Sequence, residues 1–151
     1  MSLHFRYTLV GSPHSVVPLG GRFVRPRPFI PVSLLGPAGT LLTNGLLDIG
    51  ADDTVFPEAV AVRIGVDLTN APSGVGEGVG LNSLPLRYAE VTLRIADNQE
   101  QREWRGWVAF TPAPLRRPLL GFAGFLQFFT ATFHGDREEV DLTVNSLYPG
   151  N

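Results

Sequence analysis

An ionisable carboxylate ends an apolar run at Asp48 and is followed at once by a glycine turn, in Leu46-Leu47-Asp48-Ile49-Gly50-Ala51-Asp52-Asp53-Thr54. Burying an ionised carboxylate is costly, so proteins rarely set one in apolar surroundings without a use. The plain alternative is a strand-end turn whose aspartate accepts backbone hydrogen bonds. Taken alone, that turn is the commoner outcome.

Few other chemistries have support. Gly74-Val75-Gly76-Glu77-Gly78-Val79-Gly80 alternates glycine with other residues, but it fails the Gly-x-Gly-x-x-Gly spacing and no Gly-Lys-Ser/Thr follows. The next segment, from Leu84 to Ile95, reads as strand rather than helix, so a nucleotide site is not expected. Glycine at this density bends freely and lets a backbone approach a ligand closely, or it makes a loose surface hairpin. His4, His14 and His134 are far apart and none has an acid at helical ligand spacing, so no metal is expected. No Gly-x-Ser-x-Gly elbow is present. Arg116-Arg117 before Pro118 reads as a solvated loop, and Trp104 and Trp107 as residues packed in or against a sheet.

The elements that must position Asp48 are mainly strands. Seventeen glycines and thirteen prolines among 151 residues leave little room for long helices. Leu3, Phe5, Tyr7 and Leu9 alternate with His4, Arg6 and Thr8, and Ala89, Val91, Leu93 and Ile95 alternate with Glu90, Thr92 and Arg94. Phe129, Ala131 and Phe133 precede Gly135-Asp136 and then Val140, Leu142 and Val144, the pattern of a hairpin. One short helix is expected after Pro57, with Val60 and Ile64 inward and Gly65 ending it; a second is expected from about Phe122 to Phe128. Segment 11–28, with Pro13, Pro18, Pro26 and Pro28, reads as an irregular connection. The chain divides into residues 1–28, an N-terminal strand and irregular extension, and residues 29–151, the main domain.

Composition narrows the function. With 44% hydrophobic and 17% charged residues the chain is globular. A net charge of −2 gives no basic excess, so no nucleic-acid partner is expected. The absence of cysteine rules out disulfides, thiolate metal sites and cysteine nucleophiles, and fits a reducing compartment; the expected location is cytoplasmic. The N-terminal pattern is not that of a signal peptide, and no stretch approaches the roughly twenty apolar residues of a membrane helix. No membrane partner and no cofactor are expected.

The order of a carboxylate loop, a glycine-rich segment and Leu119-Leu120-Gly121 resembles the retropepsin-like aspartic proteases, the single-domain family that includes the retroviral proteases. The family pattern is two apolar residues, Asp-Thr/Ser-Gly-Ala, a glycine-rich flap, then two apolar residues and glycine before a short helix. Here these read Leu46-Leu47-Asp48-Ile49-Gly50-Ala51, then Gly74 to Gly80, then Leu119-Leu120-Gly121. The resemblance spans roughly residues 29 to 145. It implies a closed, mainly β fold with a flap hairpin and one or two short helices, acting as a homodimer. An aspartic protease needs two carboxylates across one water, sharing a proton because like charges that close cannot both ionise. This chain has one such motif, so both Asp48 residues would meet on a two-fold axis.

By the same resemblance, Asp48 is catalytic and Ile49, Gly50 and Ala51 complete the active-site loop. Asp52 and Asp53 would lie along the substrate groove. Gly74, Val75, Gly76, Gly78, Val79 and Gly80 would form the tip of the flap, and Leu119, Leu120 and Gly121 the structural motif. The substrate would be an extended polypeptide bound as an added strand. The chain departs from the pattern at Ile49, where the family places threonine or serine whose hydroxyl cross-links the paired loops. It departs again after Gly121, where Phe122-Ala123-Gly124 replaces the usual basic residue. Two alternatives stand beside the peptidase: a catalytically silent dimerisation or peptide-binding module on the same fold, and an unrelated small β-barrel ligand binder.

Overall fold

The computed structural model describes residues 1–77 and 83–151. Twelve strands and one α-helix make up its regular structure, apart from two short 3₁₀ turns. Strands β4 (Phe29–Gly36), β5 (Gly39–Leu47), β6 (Val55–Pro57), β7 (Ser73–Glu77), β8 (Ser83–Ala96), β9 (Gln101–Thr111) and β10 (Leu119–Leu120) form a seven-stranded sheet in the order β4-β5-β10-β6-β9-β8-β7. A further pairing of β4 with β8, through Ser33–Leu35 and Thr92–Arg94, brings the sheet back on itself. That is the closed, mainly β architecture expected of the sequence.

The terminal strands form a second sheet. β1 (Ser2–Arg6) pairs with β12 (Glu139–Val144), which pairs with β11 (Phe129–His134). The expected hairpin over Phe129 to Val144 is present, with Val140 and Leu142 fully buried. Leu3 and Phe5 on β1 face the same core, as period two requires. The alternation stops at Tyr7, whose amide donates to the carbonyl of Glu138, so Leu3 to Leu9 is not one strand and Leu9 is exposed.

Segment 11–28 is not irregular. β2 (Thr8–Val16) and β3 (Arg22–Arg27) form a two-stranded antiparallel ribbon, bulged between Gly11 and Val16. In a two-stranded ribbon each strand is an edge, so prolines are tolerated where no ladder donor is needed. Pro18 sits in the 3₁₀ turn Val17–Leu19, and Gly20 and Gly21 supply the positive φ angles (69° and 82°) that reverse the chain.

The core between the sheets is apolar. Ile30, Val32 and Leu34 on β4 share one buried cluster with Val91, Leu93 and Ile95 on β8 and with Trp104 of β9, the ladder partner of Leu93. Trp104 is buried and makes edge contacts with Phe125, Phe129 and Tyr148, while Trp107 on the same strand is half exposed. Helix α1 (Glu58–Ile64) follows Pro57 and buries Val60, Ala61 and Ile64. Gly65 ends it in the left-handed conformation, its amide bonded back to the helix, as expected.

The expected helix from Phe122 to Phe128 is reduced to the 3₁₀ turn Leu126–Phe128. Gly124 lies between, with φ +89°, and a side chain there would meet the Trp107 carbonyl oxygen at 2.3 Å. The chain is pressed too closely against β9 at this point to coil regularly. No helix among the described residues is long and apolar enough to cross a membrane.

Candidate active site

Asp48 stands at the end of β5, held by the parallel pairing of two short apolar segments. Leu46 pairs with Leu119 and Leu47 with Leu120, so the two apolar dipeptides singled out in the sequence lie side by side. Close contact of the two strands depends on Gly45, because a side chain there would meet Leu120 at 2.6 Å. The strand end is fixed by backbone bonds on both sides. Leu46 N–H donates to Pro118 at 2.9 Å, Leu47 N–H to Pro28 at 3.0 Å and Asp48 N–H to Leu120 at 3.1 Å.

Beyond Leu47 the chain turns. Gly50 N–H donates to Asp48 Oδ1 at 2.9 Å and Ala51 N–H to the Asp48 carbonyl at 3.2 Å. The turn therefore supplies a backbone donor to the half-buried carboxylate, as a plain aspartate turn does. Ile49, at the tip, is 80% exposed.

The loop after β10 locks onto this turn. Phe122 N–H donates to the Ala51 carbonyl and Ala123 N–H to the Asp52 carbonyl, both at 2.9 Å; Thr54 N–H donates back to Ala123 at 3.1 Å. Gly121 lies at the crossing, where a side chain would sit 2.2 Å from the Asp53 carbonyl oxygen and 2.7 Å from that of Ala51. Glycine is obligatory there for lack of space, with no special φ involved. Thr54 is fully buried, its hydroxyl directed at the Gly121 carbonyl at 3.5 Å.

A groove of about 230 Å³ opens beside this double loop, lined by Gly50, Ala51, Asp52, Asp53, Val55, Leu119, Leu84, Leu86 and the β7 residues Val75 and Gly76. The sequence-derived candidates from the Asp48 loop, the glycine segment and the Leu119 motif thus face one concavity. Gly78, Val79 and Gly80 lie outside the described residues. Asp48 itself is not among the groove's lining residues.

Tyr88 is a site residue that the sequence reading missed. Its hydroxyl donates to Asp53 Oδ2 at 3.1 Å, and burial raises its pKa, with the Asp53 charge adding to the effect. Gly74 makes room for it, since a side chain at that position would meet the Tyr88 ring and hydroxyl at 2.8 Å. Gly76 is similarly close to Leu86, at 3.1 Å. Two glycines of the unusual run are therefore explained by packing across the β7–β8 pair. The usable signal was a tyrosine on a strand, whose hydroxyl needs a partner when half-buried.

The described residues bring together no group of three or more His, Asp or Glu side chains able to hold a metal. His4 and His134 do converge, flanking Asp141 on the terminal sheet.

The chain matches no family model and no curated protein sequence. Among solved structures it is similar to a retropepsin-like aspartic protease from Rickettsia conorii, with a TM-score of 0.53 and 16% identity over 94% of this chain and 91% of that one. It is also aligned with EIAV protease complexed with the inhibitor HBY-793, at 24% identity and a TM-score of 0.41, over 63% of this chain and 81% of that one. The chain has a retropepsin-like fold.

Proposed function

We propose that the chain is an aspartic endopeptidase that works as a homodimer, with one Asp48 from each copy at the active site. The observation that carries the reading is the double loop: a half-buried carboxylate at a strand end, given a backbone donor by Gly50 and clamped through Ala51 and Asp52 by the chain after Gly121. Such clamping holds an acid in fixed geometry, which general acid–base catalysis requires.

In this reading the two Asp48 carboxylates share one proton. The ionised member takes a proton from water as the oxygen attacks the scissile carbonyl carbon, and the protonated member hydrogen-bonds the developing oxyanion. Collapse of the tetrahedral intermediate breaks the C–N bond as the amine receives a proton, so water is consumed and a carboxyl and an amine terminus appear. The β7–β8 pair acts as a flap over an extended peptide, with Val75 offering an apolar contact and Asp52 and Asp53 facing the peptide backbone.

Cleavage of a diverse peptide library across roughly pH 3.5 to 7 tests this, with Asp48→Asn as the comparison. The expected loss in the variant is at least about 100-fold, with the fold retained. Undiminished cleavage by a pure Asp48→Asn preparation would sink the proposal. The second reading, a silent peptide-binding module, is favoured by Ile49, whose exposed side chain carries no hydroxyl to tie paired loops together. It predicts a folded protein that binds peptide and shows no turnover at any pH.

A further inference from the structure

Four arginines gather beside the strand end that carries Asp48. Arg25 and Arg27 share one face of β3, two residues apart, and with Arg116 and Arg117 they line a groove of about 500 Å³. The remaining lining residues are Val10, Gly11, Ser12 and Pro13, so the groove itself holds no acid. On their other side Arg25 and Arg27 border a cavity that contains Glu138, which is already paired with Arg22. Among the described residues none of the four arginines takes part in an ion pair, whereas nearby Arg22 is paired with Glu138 at 2.8 Å. Arg27 Nε is buried and has no hydrogen-bond partner among the described residues. Arg117 is braced, with its guanidinium 4.7 Å from the centre of the Phe29 ring.

The position of this cluster ties it to the site. Pro28, directly after Arg27, accepts the Leu47 amide, and Pro118, directly after Arg117, accepts the Leu46 amide. The two arginines thus flank the strand within one residue of the carbonyls that fix it, just before Asp48. Like charges are normally dispersed or paired; four guanidinium groups that make no ion pair among the described residues, gathered in one groove, favour a negatively charged occupant.

We infer that this groove receives acidic side chains of the polypeptide that enters the Asp48 site, so that the protein selects substrates with Asp or Glu to one side of the cleaved bond. The inference rests on the peptidase reading. A polypeptide is favoured over nucleic acid because the chain as a whole carries a net charge of −2, which repels an extended polyanion outside the groove. Carboxylates spaced along a peptide meet the planar guanidinium forks one at a time.

The test is binding, so that it does not depend on turnover. Fluorescein-labelled short peptide pools, identical except that one carries Glu where the other carries Gln, are titrated by anisotropy into Asp48→Asn protein. The expected result is about tenfold tighter binding of the Glu pool, weakening with added salt. That preference should vanish in the Arg25→Gln/Arg116→Gln variant, whose substituted side chains are both exposed, and reverse in Arg116→Glu. Equal binding of the pools, or a preference that survives both variants, overturns the inference. Tighter binding of a single-stranded oligonucleotide than of the Glu pool overturns the choice of polypeptide. Selective binding alongside a wild-type protein that cleaves nothing counts against the peptidase reading alone.

Discussion

The Tyr88 hydroxyl and the Asp53 carboxylate are 3.1 Å apart, joining the strand after the glycine segment to the loop that follows Asp48. Asp53 is thereby oriented by a side chain that needs a glycine opposite it. Tyr88→Phe should fold with stability within about 1.5 kcal/mol of wild type. Under the proposed peptidase function its effect should fall on KM for peptide rather than kcat, because Asp53 lines the groove beside the double loop, which Asp48 does not line. An unchanged KM would show that the orientation of Asp53 is irrelevant to binding. Gly74→Ala should destabilise by about 1 to 3 kcal/mol through its clash with the Tyr88 ring. Most of that loss should disappear in a Tyr88→Ala background, which a double-mutant cycle by denaturant unfolding would measure.

Gly121→Ala should be far more damaging. The added carbon would lie 2.2 Å from a carbonyl oxygen whose peptide is pinned on both sides. We expect a loss of about 3 kcal/mol or more. Gly135→Ala, where nothing lies within 4 Å, should change stability by about 0.5 kcal/mol at most. Similar losses at the two positions would refute the steric account.

Stability should carry a pH signature from the terminal sheet. The His4 pKa is raised above 6.5, chiefly by its hydrogen bond to Asp141, and the Asp141 pKa is lowered below 3.8 by His4 and then His134. The His4 contribution is fully present below 6.5 and fades as pH rises through its folded value. The Asp141 contribution is present above 3.8 and fades as pH falls through its folded value. Their joint effect is greatest between those limits. Unfolding midpoints of wild type and His4→Gln should therefore differ most between pH 3.8 and 6.5 and converge as pH rises through the folded His4 value above 6.5. A difference independent of pH would remove the charge-based explanation.

Ile49→Thr tests the departure at the loop tip. An 80% exposed isoleucine contributes little to the isolated fold, so denaturant stability at high dilution should not change. Under the proposed homodimer, paired hydroxyls should tighten association by about tenfold, read by sedimentation at micromolar concentration. No tightening would mean that Ile49 already supplies an adequate apolar contact.

What could be read from the chain followed from local periodicity and from spacing. β8, the closing hairpin and α1 announce themselves because their buried residues recur at two or at three and four. Leu46-Leu47 and Leu119-Leu120 stood out only through a family pattern, and their pairing was not foreseen, since nothing local links residues so far apart. The β2–β3 ribbon was not legible, because four prolines speak against strands and only the absence of a second neighbour makes them tolerable. The contacts of Tyr88 and Thr54 were not legible for another reason: their partners, Asp53 and Gly121, are distant in sequence and are met only in the folded chain. The second helix failed at Gly124, where tertiary crowding overrode an apolar pattern.

The parallel contact of β5 with β10 has a consequence in time. Its register joins Leu46 to Leu119, a separation of 73 positions (119 − 46), and the terminal sheet joins Ser2 to Thr143 across 141. Loops of that length must close before the pairing rewards them, which makes such topologies slow to fold. The Gly50 amide reaches Asp48 within the local turn, but the bonds to Leu120 and from Phe122 and Ala123 form only when β10 arrives. A chain still emerging during synthesis, with residues 119–121 not yet made, has the carboxylate but none of its clamp.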